Sequence, residues 1–534
     1  MDVSRDATEI VKIWLSLGAV LLVLGWRFLP LRPARIALVV LTLVAGLNYA
    51  RWGPRLLAER VDTYDLIHYY LNSKYFDELG YYDLYPACIV ADHEAFGPHF
   101  KEGTVYMAQS DAGHALEPIA HAVDRGRLVK ETRFTPERWQ AFSHDFLYLQ
   151  RSLVGLDDKL WRQMIQDHGF NGTTAWTFLA RPIASAVPVE YVKALGYVDV
   201  GLLAVAIGAL AWAYGSVPAL WTTFFLLVSY SARWPTFSWA FLRYDYLAGM
   251  LGALALLKKG KPFWAGVLTG YAASLRLFPA MWLYGPGAKG VAGLLGRKVH
   301  THLLVLLGGL LIAVAGIHAA TFAQMGLEPA RVHLENMEDH NASQQLSSRR
   351  IGLALALPFR GELLPKALPA STKKVIETQK PIRYAIGGAL LILLGWGLRR
   401  AEDDEGYAYG FLPLFFFTTA SYYYYIVRAP LIAMHAARLD STRNRVGLAM
   451  LFGMEAFSNW SEGRFPEHRV FLIGTLAWSI LLYATVMAVW ATVESYRGAS
   501  PRSAGSLPKG SSTTSESGGA SASAGAVVAS SPQA

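Results

Sequence analysis

Apolar segments of about membrane-spanning length recur along this chain of 534 residues, and no other feature constrains its fold as strongly. A bilayer core needs about 20 apolar residues per helix, and fewer where the helix ends are buried in protein. Such segments lie near 10–28, 35–50, 196–213, 217–232, 240–257, 262–284, 300–322, 382–398, 407–421, 424–437, 446–458 and 470–492. They predict an all-α polytopic membrane protein.

The composition supports this class, since 53% of the residues are hydrophobic and only 17% are charged. An average soluble domain carries about 25% charged residues. A soluble globular enzyme and a disordered protein are therefore excluded, and the single cysteine, Cys88, excludes a disulfide scaffold. The net charge of +9 does not indicate a nucleic-acid partner, because the basic residues lie in short turns between apolar segments.

Lysine and arginine in short turns predict the orientation, because such residues stay on the cytoplasmic side. The turns contain Arg27, Arg32, Arg35, Lys258, Lys259, Lys261, Lys289, Arg297, Lys298, Arg399, Arg400, Arg438, Arg443 and Arg445. They place 51–195 outside. Basic turns flank 262–284 on both sides, so it is either a re-entrant pair of half-helices or a crossing whose orientation the turns misassign. We expect about 11 transmembrane helices in a multi-pass protein of a bacterial inner membrane.

The pattern divides the chain into six parts. Two N-terminal transmembrane helices (1–50) precede a first outer, periplasmic helical loop (51–195), a transmembrane core (196–322), a second outer loop (323–381), C-terminal transmembrane helices (382–498) and a disordered cytoplasmic tail (499–534). The first loop is far longer than a connector, and it predicts an amphipathic helix beginning at Thr135–Pro136. The tail has too few apolar residues to order itself.

Residues that could carry chemistry follow the second apolar segment, in the run VDTYDLIHYYLNSKYFDELGYYDLY. On a helix, one face at the outer membrane surface carries Asp62, Asp65, His68 and Tyr69. A carboxylate beside a histidine and aromatic rings suits general-base catalysis on a hydroxyl. The alternative is a set of interfacial polar and aromatic residues, although acidic side chains so close to a membrane helix tend to be functional.

This run resembles the first outer loop of GT-C glycosyltransferases. FLRYDYLAGMLGALALLKKGKPFWAGVLTGYAASLRLFPAMWLYG is similar to a segment of that superfamily, and TTASYYYYIVRAPLIAMHA lies where its polyprenol-phosphate-mannose-dependent branch has an aromatic, histidine-containing helix pair. The loop HLENMEDHNASQQLSSRRIGL resembles the outer loop before a late helix in bacterial members. The resemblance covers roughly 50–498 by order and spacing.

The resemblance implies a GT-C-like bundle with a large outer loop and a membrane glycosyltransferase of the cell envelope. The donor is a polyprenyl phosphate bearing one sugar, mannose by default, and the acceptor is a glycan or lipid hydroxyl that enters from the outer face. Asp65 matches the position of the general base best, with Asp62 as runner-up and His68 beside them. The hydroxyl attacks the anomeric carbon and inverts it.

The resemblance also implies that arginines hold the donor phosphate, because a guanidinium donates two hydrogen bonds at once. The candidates are Arg276, Arg349, Arg350 and Arg428. Arg276 alternatively pairs with Asp245, and Arg428 is alternatively an interfacial anchor next to four tyrosines. Arg243 is expected to pair with Asp245 or to line the cavity.

The chain departs from the superfamily in three respects. Two apolar segments precede the candidate base rather than one. Asp62 and Asp65 are separated by two residues, where the commoner pairs are Asp-x-Asp or Glu-Asp. Arg276 stands where a lysine usually precedes the proline.

Further polar residues could bind substrate. Asp167 and His168 could bind acceptor hydroxyls or merely cap a helix and turn, and Tyr69 belongs to the same set. His340 and Asn341 could reach the donor or lie in a solvated loop. No cofactor is expected. A divalent metal stays open as an alternative, but the spacing of its candidate ligands matches no compact metal motif. These ligands are Asp92, His93, His99 and His114.

Two other functions compete with the transferase. Broken helices and intramembrane charges also fit a transporter or flippase of lipids or small molecules. A non-catalytic membrane scaffold of envelope assembly would fit the large aromatic outer loop. We see no inverted repeat, which disfavours the transporter.

Overall fold

A computed structural model describes residues 5–52, 63–98, 100–110, 113–151, 158–167, 169–232, 241–344, 349–363 and 370–497. Its helical content is 79%, and the strands in this part of the chain form two short antiparallel pairs. The expectation of an all-α membrane protein is therefore confirmed. The predicted tail at 499–534 and Asp62 lie outside the described residues.

The first half of the chain has two long helices and then many short elements. They are α1 (Arg5–Gly25), α2 (Leu31–Tyr49), α3 (Thr63–Leu66), a π-helical turn (Ile67–Leu71), α4 (Asn72–Lys74), α5 (Phe76–Leu79), α6 (Leu84–Phe96), β1 (Val105–Ser110), β2 (Gly113–Pro118), α7 (Ile119–Arg133), α8 (Pro136–Leu149), α9 (Asp158–Met164) and α10 (Thr174–Ala186). β1 pairs with β2, from Val105 opposite Pro118 to Ser110 opposite Gly113.

The second half alternates long and broken helices. It contains a 3₁₀ helix (Val189–Leu195), α11 (Gly196–Tyr214), α12 (Ser216–Val228), a 3₁₀ turn (Tyr230–Ala232), α13 (Asp245–Lys258), α14 (Pro262–Arg276), a 3₁₀ helix (Phe278–Leu283), α15 (Tyr284–Leu295), α16 (Thr301–Met325) and α17 (Glu328–Gln344). Then follow β3 (Arg350–Ile351), α18 (Leu353–Ala356), α19 (Ala370–Thr378), α20 (Lys380–Leu398), α21 (Asp403–Ala408), α22 (Phe411–Phe417), β4 (Ala420–Ser421), a 3₁₀ helix (Tyr422–Arg428), α23 (Ala429–Ala436), α24 (Thr442–Arg464) and α25 (Arg469–Arg497). β3 pairs with β4.

Among the described residues, six helices are long and apolar enough to cross a membrane, so the expectation of about 11 spans is wrong. The candidates are Ala7–Gly25, Leu31–Tyr49, Val189–Tyr214, Thr301–Met325, Lys380–Leu398 and Arg469–Arg497. The remaining apolar segments fold into shorter helices, such as the 13 residues of α12.

Proline, glycine and polar residues explain the difference. The predicted segment 262–284 breaks after Arg276, and Pro279 lies in the 3₁₀ helix that follows. The segment 424–437 divides in the same way, at the junction of a 3₁₀ helix with α23. α24 is long enough to span, but it buries charged and amide side chains, including Glu455 and Asn459.

Glycines allow α14 and α16 to pack with their backbones in close contact. A Cβ at Gly266 would lie 1.9 Å from the Leu306 carbonyl oxygen, and one at Gly309 would lie 2.1 Å from the Phe263 carbonyl oxygen. Small residues four positions apart, here Gly266 and Gly270, are typical of tightly packed membrane helices. This contact fixes α14, which ends at Arg276.

The region between the second and third candidate spans has a core of its own. The Thr135 hydroxyl accepts a hydrogen bond from the Arg138 amide, which begins α8 at the predicted position. Its apolar face is buried, as expected, at Trp139, Phe142, Phe146 and Leu149. Buried ion pairs add to this core, because Asp145 contacts Lys74 at 2.7 Å. The site described below lies where this region meets the membrane helices.

Basic residues from three of the predicted cytoplasmic turns contact one acidic segment, residues 402–405, and we call this set the charge cluster. Lys258 contacts Glu402 at 2.6 Å, Lys289 contacts Asp403 at 2.6 Å and Arg438 contacts Asp404 at 2.8 Å; Arg443 pairs with Glu405. The basic turns therefore lie at one end of the bundle, as their common orientation predicts.

Candidate functional site

A cavity brings together polar and aromatic side chains from four separate parts of the chain. Its lining consists of Asp65, Tyr69, Phe241, Arg243, Tyr244, Tyr246, Arg276, Tyr423 and Tyr424. The centre of a water molecule can occupy about 20 Å³ of it, which is room for little more than one water. A larger ligand therefore requires side chains of the lining to move.

A change of helical pitch decides which residues of the first polar run face the cavity. α3 passes into the π-helical turn Ile67–Leu71. Asp65 and Tyr69 both line the cavity, whereas His68 lies outside the lining and its Nε2 is 2.7 Å from the Tyr85 hydroxyl. The structure therefore divides the predicted face. His68 is turned into the core of the region between the second and third candidate spans, which we call the outer region after its predicted side. Single π-helical turns often occur at functional sites.

Asp65 forms an ion pair across the cavity. Its Oδ1 lies 2.6 Å from Nη2 of Arg243, and the side chains are 3% and 19% exposed. The sequence predicted that Arg243 would pair with Asp245 or line the cavity; it lines the cavity and pairs with Asp65. The 178 residues between the two partners explain why the sequence did not indicate this pair.

Two neighbouring elements hold the backbone of Arg243. The Asp199 carboxylate accepts hydrogen bonds from the amides of Arg243 and Tyr244, at 2.8 and 3.1 Å. The Leu242 carbonyl accepts one from the Trp176 indole at 3.1 Å. Arg243 thus has a fixed backbone, so that any movement of its guanidinium must come from side-chain rotation.

Arg276 ends α14 and points its guanidinium among aromatic rings. Its Cζ lies about 6.0 Å from the ring centres of Tyr69 and Trp176 and 5.9 Å from that of Tyr246. Within the described residues, Arg276 has no salt bridge, and its buried Nε has no hydrogen-bond partner. The alternative partner Asp245 is not within salt-bridge distance, although its carboxylate interacts with the Arg276 charge at longer range. Its Oδ1 accepts a hydrogen bond from the Tyr246 amide at 2.7 Å.

Both arginines lie beside a strained backbone position. Leu242 has φ 48° and Leu277 has φ 46°, the left-handed region that L residues with a side chain rarely adopt. Such a conformation costs roughly 1–2 kcal/mol and persists only where the surroundings enforce it. Strained residues cluster at functional sites, so this pair of outliers supports a functional role for the cavity.

Tyrosines supply the remaining polar groups. The Tyr69 hydroxyl donates to Oδ1 of Asn171 at 2.5 Å, and burial raises the pKa of Tyr69 well above its ordinary value. Tyr69 therefore stays a neutral hydroxyl at physiological pH. The rings of Tyr423 and Tyr424 lie 4.6 Å apart, and both line the cavity. The YYYY run was noted in the sequence, but only the 3₁₀ helix decides which two of its rings point inward.

The other predicted phosphate ligands lie outside the lining. Arg350 is buried close to it, since its Nη1 donates to the Thr419 carbonyl at 3.2 Å and it adjoins Tyr423, while the Arg349 side chain is exposed. Arg428 is 1% exposed and pairs with the fully buried Glu455 at 2.6 Å. The structure thus places Arg428 in the helix packing rather than at the outer surface.

The predicted substrate ligands are distributed differently. Asp167 is partly buried in a turn outside the lining, and His168 lies outside the described residues. His340 and Asn341 belong to α17, but their side chains lie outside the described part of the chain. Asn171, in the same stretch as Asp167, instead reaches the site through Tyr69.

In the part of the chain that the structure describes, no three potential metal ligands lie close enough together to hold an ion. The Asp92 carboxylate accepts hydrogen bonds from Gln150 and Trp161, and His114 bonds to Asn336.

No protein-family model, curated protein or solved structure matches this chain. The resemblance to GT-C glycosyltransferases therefore stays a prediction. The cavity itself combines a carboxylate, two guanidiniums and several phenols. A carboxylate can accept a proton, guanidiniums can bind a phosphate, and phenol rings can pack against a sugar ring.

Proposed function

We propose that the protein is a membrane glycosyltransferase of GT-C type, which moves a sugar from a polyprenyl-phosphate donor to a hydroxyl of a glycan or lipid at the outer face of a bacterial inner membrane. The observation that carries the proposal is the convergence of Asp65, Tyr69 and Arg276 on one cavity. These three were candidates from two separate stretches of the sequence, one with Asp65 and Tyr69 and the other with Arg276. Arg243 adds a second cation to the same cavity.

Asp65 is the general base in this proposal. Its carboxylate takes the proton of the acceptor hydroxyl while the hydroxyl oxygen forms a bond to the anomeric carbon. The bond between that carbon and the phosphate oxygen breaks, and its electron pair stays on the oxygen. The products are an inverted glycoside and polyprenyl phosphate, whose phosphate carries one more negative charge than in the donor.

Arg276 and Arg243 stabilise that added charge. Cations beside a position where charge develops lower the barrier, and they act more strongly where water is excluded. Arg276 suits this role because no described carboxylate competes for it within salt-bridge distance. The mannose default and the choice of acceptor come from the resemblance alone.

The test incubates the purified full chain in detergent with a panel of polyprenyl-phosphate sugars and glycan or lipid acceptors. Wild type should form product, and Asp65→Asn should lower kcat at least a hundredfold, since general-base catalysis contributes about 10²–10⁴-fold. Asp77→Asn is the matched control, because Asp77 is 62% exposed and pairs with Arg181 on the surface. Equal rates for Asp65→Asn and wild type would refute the assignment of the base. No turnover by wild type with any donor would refute the transferase and favour a transporter or scaffold.

A further inference from the structure

Asp65 is not ready to act as a base in the arrangement described above. Its Oδ1 is bound to Nη2 of Arg243 at 2.6 Å, and only 3% of its side chain is exposed. A carboxylate that is held by a guanidinium is a poorer proton acceptor than a free one, because the pairing stabilises the charged form. The pair also occupies the space that an acceptor hydroxyl would need.

The same cavity has a second cation, Arg276, which interacts with the Asp245 carboxylate only beyond salt-bridge distance. Arg276 has no salt bridge among the described residues, and its Nε is buried without a partner there. An anion that enters beside Arg276 meets Arg243 as the second cation of the lining. It would therefore compete with Asp65 for the guanidinium of Arg243.

The geometry allows that exchange to occur locally. The backbone of Arg243 is fixed by Asp199, so its side chain can rotate without unfolding the bend that carries it. The cavity holds little more than one water, so a phosphate cannot enter unless side chains of the lining move. Rotation of Arg243 away from Asp65 supplies both the space and a second phosphate ligand.

We infer that Arg243 is an exchange residue, which leaves Asp65 for the phosphate of the polyprenyl donor and thereby frees the carboxylate as the base. This inference rests on the proposed function. It makes binding ordered, with the donor before the acceptor. The guanidinium therefore leaves the base only when the phosphate of the leaving group is in position.

The test is difference infrared spectroscopy on the full chain, with polyprenyl phosphate that carries no sugar as the probe. In wild type the probe should shift a carboxylate stretching band, because Asp65 loses its guanidinium partner. The shift should vanish in Asp65→Asn, which lacks the carboxylate, and in Arg243→Gln, which already lacks the pair between the two residues. Lys74→Gln is the control, since it removes a comparable buried pair with Asp145 in the outer region, and it should keep the shift.

The outcomes separate the exchange from the transferase. If the probe binds wild type and the Asp65 band does not move, the exchange is refuted, whether or not sugar transfer occurs. If the band moves but no donor turns over, the exchange stands as an anion-binding property and the transferase fails. Absence of probe binding would overturn both. Arg243→Lys keeps a cation at the site, so it should retain a shift if Arg243→Gln proves too unstable to measure.

Discussion

At the scale of single residues, Arg276 differs from Arg428 and Arg443 in having no described carboxylate within salt-bridge distance. We predict that Arg276→Gln lowers the affinity for polyprenyl phosphate at least tenfold, because a hydrogen bond to a charged group contributes about 1.5–3 kcal/mol. The melting temperature should fall less than that of Arg428→Gln, since no described salt bridge is broken. Titration calorimetry and thermal unfolding in detergent measure the two quantities.

Two variants serve as controls for this prediction. Arg297→Gln removes an exposed cation at the other end of the bundle and should leave affinity unchanged. Arg428→Gln should instead lower the free energy of unfolding by about 3–5 kcal/mol, because it leaves Glu455 as an uncompensated buried charge. If Arg276→Gln leaves the affinity for polyprenyl phosphate unchanged, Arg276 does not bind the phosphate.

The contact between α17 and the outer region should be sensitive to acid, because it includes His333. Burial lowers its pKa to about 4, with the charge of Arg276 as a further cause, and its ring packs against Tyr81. In the unfolded chain the pKa of His333 is about 6.5. Between about pH 4 and pH 6.5 the folded state therefore binds fewer protons than the unfolded state. The stability that neutral His333 contributes is present above about pH 6.5 and is lost as the pH falls toward 4.

We therefore expect His333→Phe, which keeps an aromatic ring without a titrating group, to reduce the loss of melting temperature between pH 7 and pH 5. His121→Phe is the control, because His121 is exposed and should leave the slope unchanged. Identical slopes for wild type and His333→Phe would show that protonation of this histidine does not oppose folding.

Part of the site was predictable residue by residue. A carboxylate four positions before a tyrosine, just after an apolar segment, indicated Asp65 and Tyr69 because helical spacing places such residues together. His68 was assigned to the same face, but the π-helical turn rotates it away. The pairing of Arg243 with Asp65 could not be predicted, because it depends on how distant elements meet in the fold.

At the scale of elements, the close contact of α14 with α16 positions Arg276. We predict that Gly309→Ala destabilises the protein by about 1–3 kcal/mol, because the new Cβ would lie 2.1 Å from the Phe263 carbonyl oxygen and force the helices apart. The displaced α14 should also weaken binding of polyprenyl phosphate. Thermal unfolding and calorimetry of the variant give both effects.

The adjacent Gly308 provides the matched control, since a Cβ there meets no described atom within 4 Å. Gly308→Ala should be neutral or slightly stabilising, because alanine is the better helix former. If the two alanine variants unfold at the same temperature, the helices separate without cost and the proposed packing of α14 is incorrect.

The sequence predicted helices better than it predicted membrane crossings. Apolar periodicity and the cap at Thr135 correctly located α8. The number of spans was overestimated because several apolar segments are helices of fewer than 18 residues, and their length depends on where neighbouring elements can bury their ends. The break after Arg276 agrees with the expected pair of half-helices, and Pro279 lies in the 3₁₀ helix that follows it.

At the scale of the whole molecule, the charge cluster and the candidate site lie in different parts of the fold, and their sidedness is testable. We predict that the charge cluster faces the cytoplasm, because it gathers the basic turns, and that the outer region faces away from it. In a Cys88→Ala background, cysteine at Arg297 should resist a membrane-impermeant thiol reagent added outside intact cells. Cysteine at Glu131, which is exposed in the outer region, should react.

Permeabilised cells are the control, since both positions should then be labelled. The opposite pattern in intact cells would place the cavity on the cytoplasmic side and exclude an outer-face acceptor. The sequence predicted the orientation through its basic turns, but it could not predict that α17 would reach back to the outer region. That contact depends on the side-chain amide of Asn336. Its Oδ1 lies 2.6 Å from Nε2 of His114, and its Nδ2 donates to the Phe170 carbonyl at 3.3 Å.

The most direct measurement is a structure, by electron cryomicroscopy, of the full chain in lipid nanodiscs with a non-hydrolysable polyprenyl-phosphate sugar. We predict that the phosphate lies within about 4 Å of the Arg276 guanidinium, with the anomeric carbon directed toward Asp65. A phosphate bound elsewhere on the protein, or a cavity still closed by the pair of Asp65 with Arg243 while the ligand is bound, would contradict the account.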